Sequence, residues 1–435
     1  MRSWLKNNFG LIIIIVLAIV PLIFWSSMLP LSQRFNGTVE TFTSIGQLTA
    51  LMGLVLFSLN IVIATRLKFL DEIFFGLNRA YLNHHLLGGL AFILLLIHPL
   101  VLAVRYLPVS VTLAAQFLLP TTNDMTKAYG IYGLLLMIIL LVLTFYLRPP
   151  YQLWKLTHKF LGLALFLASL HVYFIPSDVS RSTGLRFYML SLVTLGLVAA
   201  IYRSILGGAK KWQYRVRQVK EVITDLIYEI ELEPLAEMMP YQAGQFIFIS
   251  FLDDKIGREV HPFSLASSPK ETNLKFVFKV LGDYTTRLKG LRPGTVARIE
   301  GPFGKFHYGN FSVKQIWIAG GIGLTPFLGM ARDLVGQSHF QVQLFYCVNN
   351  QAEAAFENEL DQLAKTNVTF NFFPFYTSLR GRIKAKIVEQ ICGGIKDKEI
   401  LLCAPPAMMR SLRQQFRELG VPNRLIHSEE FELAS

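Results

Sequence analysis

Cysteine is scarce: the 435 residues hold only Cys347, Cys392 and Cys403, all in the second half. None is spaced to build a disulfide framework, a zinc knuckle or a C-x-x-C dithiol. Charge is scarce as well, at 16% of residues against roughly 25% in soluble domains. With 52% apolar residues, that deficit argues against an ordinary soluble enzyme. It also argues against disorder, because a chain this apolar can bury more than enough surface to offset the cost of ordering. Acidic residues are nearly missing from positions 1–211, which carry five Asp and Glu against 16 Lys and Arg; positions 212–435 carry 24 against 26. The excess behind the net charge of +13 therefore sits in the apolar half, which favours membrane anchoring. No basic run with interleaved aromatics occurs, so nucleic acid is not an expected partner.

Six apolar stretches precede residue 210, near 10–30, 44–64, 82–104, 128–147, 157–175 and 186–206. Each approaches the ~20 residues that cross ~30 Å of hydrocarbon as a helix. The stretch at 157–175 is the shortest. Arg2 and Lys6 ahead of the first stretch resemble a signal peptide, but no small-x-small cleavage site follows, so it is read as a helix. Of the flanking Lys and Arg, eleven fall on one side of the predicted bundle and five on the other. The N-terminus and everything after residue 206 are therefore expected in the cytoplasm, with the lipid bilayer of the cell membrane as partner. Arg34, Arg105, Arg181 and Arg186 fall at the outer face and read as headgroup anchors.

Five of the nine histidines lie in this half, all within the third and fifth stretches: His84, His85, His98, His158 and His171. Ionisable side chains in hydrocarbon are costly and mark function by default. A lone membrane histidine is commonly an interhelical hydrogen-bond donor, yet here two pairs share one pattern. His84 and His98 are 14 residues apart, close to four turns, so they share a helix face about 21 Å apart. His158 and His171 are 13 apart, which leaves over a third of a turn for local distortion or rotamers to absorb. Stretches three and five run in parallel, so each offers one inner and one outer imidazole. That pattern suits two stacked haems, each with two axial imidazoles. Without C-x-x-C-H they would be non-covalent, b-type. A single non-haem ion is a poorer fit, because ligands 14 residues apart on a helix cannot meet at one metal. Aligning H-x-x-L-G selects His84 over His85 as the partner of His158.

After Lys211 the pattern changes. WQYRVRQV, LIYEIEL, QFIFISF, LKFVFKV and ARIEG alternate with period two, predicting an antiparallel barrel or sandwich over 212–310. From Phe311 the runs KQIWIAG, QVQLFYCV, TFNFFPFY and EILLCA read as buried strands. Helices are expected near 325–335, 352–366 and 405–419, hence a parallel α/β sheet over 311–435. Three motifs carry chemistry. His261-Pro262-Phe263-Ser264 opens HPFSLASSP, a strand edge entering a Ser-rich turn that could hold a flavin ring and ribityl chain. Gly282 to Thr285, GDYT, offers close backbone approach to a pyrophosphate and a threonine hydroxyl. AGGIGLTP, with Gly320, Gly321, Gly323, Thr325 and Pro326, joins a strand to a helix N-terminus suited to phosphate, though it is not G-x-G-x-x-G. Cys403, in LCAPPAMM, would sit near a nicotinamide or simply pack. Phe431, near the end, could stack on a flavin face.

Taken together these residues resemble the ferric reductase and NADPH oxidase superfamily over nearly the full length. The histidine spacings look like that family's bis-histidine haem sites. HPFS resembles its flavin motif, and GDYT its site for the FAD phosphates. GPFG from Gly301 resembles its barrel exit and AGGIGLTP its nucleotide loop. LCAPPAM resembles C-G-P-P-x-M with Ala404 in place of glycine, and Glu430-Phe431 its C-terminal flavin-stacking aromatic, with four residues following. The resemblance implies a six-helix transmembrane haem domain (1–211), an FAD-binding β-barrel (212–310) and an NAD(P)-binding α/β domain (311–435). It implies FAD, two b-type haems and NADPH or NADH as donor, with oxygen or a ferric chelate as extracytoplasmic acceptor. Catalytic roles fall to Phe431 and Cys403. NADPH-preferring relatives tend to carry an arginine after the strand ending Tyr346-Cys347-Val348. Here Asn349-Asn350 follows, so Arg380 or Arg382 would have to substitute, or NADH is the donor. No EF-hand pattern precedes the barrel, which argues against calcium gating. Two rivals remain: a haem protein feeding a partner, and a nucleotide-binding transporter or sensor.

Overall fold

The computed structural model describes residues 2–120, 124–147, 149–206 and 211–429. It divides into two compact units, Met1–Gly208 and Ala209–Ser435.

In the first unit, six helices are long and apolar enough to span a membrane: Asn8–Met28, Thr38–Ile63, Leu77–Val104, Met125–Leu147, Gln152–Phe174 and Thr183–Ser204. The second and third spans pack together, the fourth packs on the fifth, and the sixth lies against the second and fifth. Glycines set the closest approaches. A Cβ on Gly53 would fall 2.9 Å from Leu95 Cγ, and one on Gly196 would fall 3.1 Å from the Ser58 carbonyl oxygen, as expected where membrane helices pack through small residues.

The fifth span begins earlier than hydropathy suggests. Its first part, Tyr151–Lys159, carries Gln152, Lys155 and His158 and gives the span the lowest mean hydropathy of the six, 1.3. A second helix, Leu161–Phe174, follows after a turn at Phe160. That turn lies between His158 and His171 and can take up the rotation their 13-residue spacing leaves over.

Arg34 departs from expectation. It is buried, and its guanidinium bonds Asp178 Oδ2 at 2.9 Å and the Trp25 carbonyl at 2.6 Å, and lies over the Trp25 ring. With side-chain exposures of 3% and 6%, this pair clamps two connecting segments together and does not reach headgroups. Losing one partner would strand a buried charge, at a cost of about 3–5 kcal/mol. Arg105 lies over Tyr106 and Phe117, and Arg186 over Tyr173.

The second unit holds two sheets. β1 (Lys211–Ile223), β2 (Ile227–Pro234), β3 (Phe246–Phe251), β4 (His261–Ser264), β5 (Leu274–Lys279) and β6 (Val296–Phe303) form an antiparallel sheet in the order β4-β3-β6-β1-β2-β5. A bridge from Leu265 to Phe276 brings its two end strands together, so the sheet curls into a partly closed barrel. β7 (Lys314–Gly320), β8 (Gln341–Val348), β9 (Phe370–Tyr376), β10 (Glu399–Cys403) and β11 (Ile426–Ser428) form a parallel sheet in the order β11-β10-β7-β8-β9. Ile316, Ile318, Phe345 and Leu402 are fully buried, as befits strands covered on both faces. The sequence did not signal β11 or the helix Ala385–Cys392.

The two sheets share a core: Ile227, Ala266 and Val277 pack in one cluster with Trp317, Phe327 and Leu328. Arg332, on the helix Leu324–Asp333, bonds Glu359, Glu229 and the Ala266 carbonyl. Asp333 accepts from Ser268 Oγ at 2.8 Å and the Tyr308 hydroxyl at 2.6 Å.

Candidate functional site

Three of the four paired membrane histidines are held from behind. His84 Nδ1 donates to the Asn60 carbonyl at 3.1 Å and His98 Nδ1 to the Gly46 carbonyl at 2.8 Å. Both acceptors belong to the second span and lie 14 residues apart, the same spacing as the histidines, so one antiparallel register serves both. His171 Nδ1 donates to the Thr126 carbonyl of the fourth span at 2.7 Å. A Cβ on Gly130, one turn along, would lie 2.9 Å from that nitrogen; glycine makes room for the ring. A carbonyl can only accept, so Nδ1 carries the proton in these three rings and Nε2 keeps its lone pair.

His84 and His158 face each other with ring centroids 6.2 Å apart. The two rings are close enough that both imidazoles would hold one haem iron between them. Buried His158 Nδ1 has no partner among the described residues. His85 is exposed, unlike half-buried His84, although its ring lies 5.8 Å from that of His84. Among the described residues no group of three or more His, Cys, Asp and Glu could hold a bare metal ion. The His84–His158 pair is a two-imidazole donor set of the kind that suits a haem.

In the barrel, HPFS and GDYT meet. β4 is the end strand, bonded only to β3 along His261–Ser264, so its outer backbone edge is open to a ligand. The His261 ring stacks on Tyr284 of GDYT at 3.7 Å. His261 Nε2 lies 3.0 Å from Glu259, which also binds Arg287 at 2.7 Å. The Tyr284 hydroxyl is buried with no partner among the described residues, and burial pushes its pKa up. The Tyr284 hydroxyl is therefore a protonated, buried donor. Neither Tyr284, Glu259 nor Arg287 stood out as a site residue in the sequence; the stacking becomes apparent only in the fold.

Two expectations change here. The Thr285 hydroxyl accepts from the amides of Leu281 and Gly282 at 2.9 and 3.0 Å and donates to the Gly282 carbonyl. In this structure its hydroxyl is engaged within its own turn. Gly282 itself is extended, with open space where a Cβ would be. Of the turn serines, Ser267 and Ser268 point inward to Tyr241 and Asp333, while Ser264 is buried at the end of β4 and Pro262 and Phe263 are half-buried. What β4 offers a flavin is chiefly its backbone edge.

The parallel sheet reverses its strand order between β7 and β10, and ligands of open α/β sheets bind beyond the strand ends at such a point. Gly320–Gly323 and Cys403–Pro405 meet there. A Cβ on Gly323 would fall 2.1 Å from the Cys403 carbonyl oxygen, and one on Gly320 would fall 2.7 Å from Ala404 Cβ. These two glycines serve packing between the loops. Gly321, with φ +54° and open space beyond, is the one that leaves room for a ligand. Gly321, Ile322, Thr325 and Tyr346 line a narrow cleft with Ile227 and Val277 of the barrel. The Thr325 hydroxyl donates to Ile322 O, and Pro326 is buried in the helix start.

Cys403 is 2% exposed and part of the shared core. Burial, with Glu429 beside it, pushes its thiol well above the ordinary range. The side chain packs in the core as a neutral thiol. Phe431 lies outside the described residues.

Residues 49–169 match the model of the ferric reductase like transmembrane component, 211–305 an FAD-binding domain, and 317–414 the oxidoreductase NAD-binding domain. The first match includes three of the four paired histidines. The chain is 25% identical over 248 residues to a flavohemoprotein of Rhizobium meliloti, covering 52% of this chain and 62% of that one. It is 37% identical over 116 residues to Dual oxidase 2 of Rattus norvegicus, covering 24% of this chain and 7% of the oxidase. The chain thus spans less than two thirds of each relative. A solved flavohemoglobin from Malassezia yamatoensis, with bound FAD and heme, aligns over 90% of this chain and 96% of its own at a TM-score of 0.52 and 18% identity, a likeness of fold alone. Ferric reductase, FAD-binding and NAD-binding segments, matched in that order behind six candidate spans, give this multi-pass membrane protein the architecture of the ferric reductase and NADPH oxidase superfamily, a family of oxidoreductases.

Proposed function

We propose that the chain draws electrons from cytoplasmic NADH or NADPH and delivers them singly to an acceptor across the cell membrane, either oxygen, giving superoxide, or a ferric chelate. The observation that carries this reading is the pair of opposed imidazoles, His84 and His158, in a membrane bundle fused to a flavin and nucleotide module. When bound, FAD supplies the conversion of a two-electron donor into single electrons, and haem iron supplies one-electron relay.

The chain's own groups bind and orient. His84 and His158 would hold the inner haem, His98 and His171 the outer. The carbonyls of Asn60, Gly46 and Thr126 hold the Nδ1 proton and so keep each Nε2 basic. The β4 edge and the Tyr284 hydroxyl would orient FAD, and Phe431 would cover it. The Gly321 turn would admit the pyrophosphate of the nucleotide. The six spans exclude water from the path. The uneven Lys and Arg distribution supports cytoplasmic termini and a cytoplasmic reductase unit.

A turnover assay on the purified chain tests this, with NADH or NADPH and parallel superoxide-dependent and iron-dependent signals. Nucleotide oxidation coupled to either one-electron product is the expected result. Turnover with artificial dyes alone would point to a donor for a partner protein, and no oxidation at all to a transporter or sensor.

A further inference from the structure

Hydride transfer takes two electrons and one hydrogen nucleus from a dihydronicotinamide, leaves it oxidised and the flavin reduced, and needs the reacting atoms about 3–3.5 Å apart. The two motifs that would hold those partners belong to different sheets, so one sheet must be fixed on the other to that tolerance. The helix Leu324–Asp333 joins them. It opens directly behind the Gly321 turn. Its last two residues are a cation and an anion, Arg332 and Asp333, with side chains only 12% and 11% exposed. Buried charges are costly unless each is paired and hydrogen-bonded, so two in succession are more than core packing alone requires.

Both charges are answered from the barrel. Arg332 donates to the Ala266 carbonyl at 2.8 Å and to Glu229 of β2 at 3.1 Å. The Asp333 carboxylate accepts from the Ser268 hydroxyl at 2.8 Å, and its backbone carbonyl accepts from Lys270 Nζ at 2.8 Å. Ala266, Ser268 and Lys270 belong to the turn that follows β4, the strand whose open edge would bind the flavin. One turn back along the helix, a Cβ on Gly329 would fall 2.7 Å from the Leu265 carbonyl oxygen and 3.2 Å from that of Ser267. Helix and turn therefore meet backbone to backbone, and residues 265–268 are buried. The remaining partner of Arg332, Glu359 at 2.6 Å, lies instead on the helix Glu357–Thr366 of the nucleotide sheet itself.

We infer that Gly329, Arg332 and Asp333 are positioning residues: they lock the helix behind the nucleotide loop to the turn behind the flavin strand, and so set the distance for hydride transfer. The inference rests on the proposed function. Anaerobic stopped-flow reduction of the FAD-loaded, full-length protein by NADH or NADPH tests it, read at the flavin band and at the long-wavelength charge-transfer band of the nicotinamide–flavin pair. Glu229→Gln and Asp333→Asn each keep the shape of the side chain and remove one charge. Each should slow flavin reduction at saturating nucleotide at least about tenfold, since a misplacement near 1 Å can cost about 100-fold. The charge-transfer band should weaken, while nucleotide affinity stays unchanged. Glu359→Gln, which removes a bond within the nucleotide sheet, should leave both signals nearly unaltered. Hydrogen exchange should show residues 265–268 and 324–333 losing protection together in Glu229→Gln, at a melting temperature close to that of the unaltered chain. Should a charge variant fail to fold, Ser268→Ala, which removes one hydroxyl from Asp333, should give the same slowing in milder form. Unchanged rates in the variants that cut the link to the barrel, or equal slowing in Glu359→Gln, would overturn the inference and leave the proposed function standing. An unaltered chain whose flavin neither nucleotide reduces would refute the proposed function, and the positioning role with it.

Discussion

The membrane unit and the reductase unit hold their candidate sites by different means. In the membrane bundle a few side chains carry the candidate site, and neighbouring helices fix three of them through a backbone carbonyl, with a missing Cβ making room at His171. In the reductase unit the backbone itself forms the site: the open edge of β4, the Gly321 turn, and two loops packed so closely that Gly323 tolerates no side chain. A low-dielectric bundle has few polar groups to spend, so each must be placed; a strand-and-loop site presents amides by default. Side-chain substitutions should therefore damage the first unit most, and glycine substitutions the second.

The sharpest way to break that contrast is His84→Ala beside His85→Ala. The first should remove one haem and lower acceptor reduction at least about 100-fold, in line with the loss of a metal ligand. The second should leave haem content unchanged; pyridine-haemochrome assay reads both. Gly323→Ala comes next. A Cβ 2.1 Å from the Cys403 oxygen forces the two loops apart, at a cost of about 3 kcal/mol or more. Thermal unfolding should show it, together with lost nucleotide affinity and intact haem. Gly130→Ala should act more gently: it crowds the His171 ring and should shift the outer haem's potential without emptying the inner site, as redox titration would reveal. The smallest effect belongs to Cys403→Ala. A buried neutral thiol predicts no new inflection in the pH–rate profile and only a modest loss of stability, about 1 kcal/mol; a changed profile would restore a chemical role.

Much of this was legible in the sequence, for physical reasons. Period-two and buried runs name their strands, and histidines stand out in hydrocarbon because they are costly there. What was not legible depends on groups without a side-chain signature or on distant partners. The turn at Phe160 cannot be read from hydropathy, nor can the carbonyls of Asn60, Gly46 and Thr126. The Arg34–Asp178 pair joins positions 144 residues apart, so Arg34 looked like an anchor. The bonds that engage the Thr285 hydroxyl within its own turn form only on folding. The close approach of Gly320 to Ala404 and of Gly323 to the Cys403 carbonyl joins loops about 80 residues apart in the chain, which the motif by itself does not reveal.

The central claim is that two imidazole pairs at two depths each grip a haem. Reduced-minus-oxidised absorption spectra with haem quantification, on the purified chain and on His98→Ala, test it directly. The account predicts two bis-imidazole b-type haems per chain, and one in the variant with nucleotide binding retained. A chain without haem, or a variant with undiminished haem content, would contradict it.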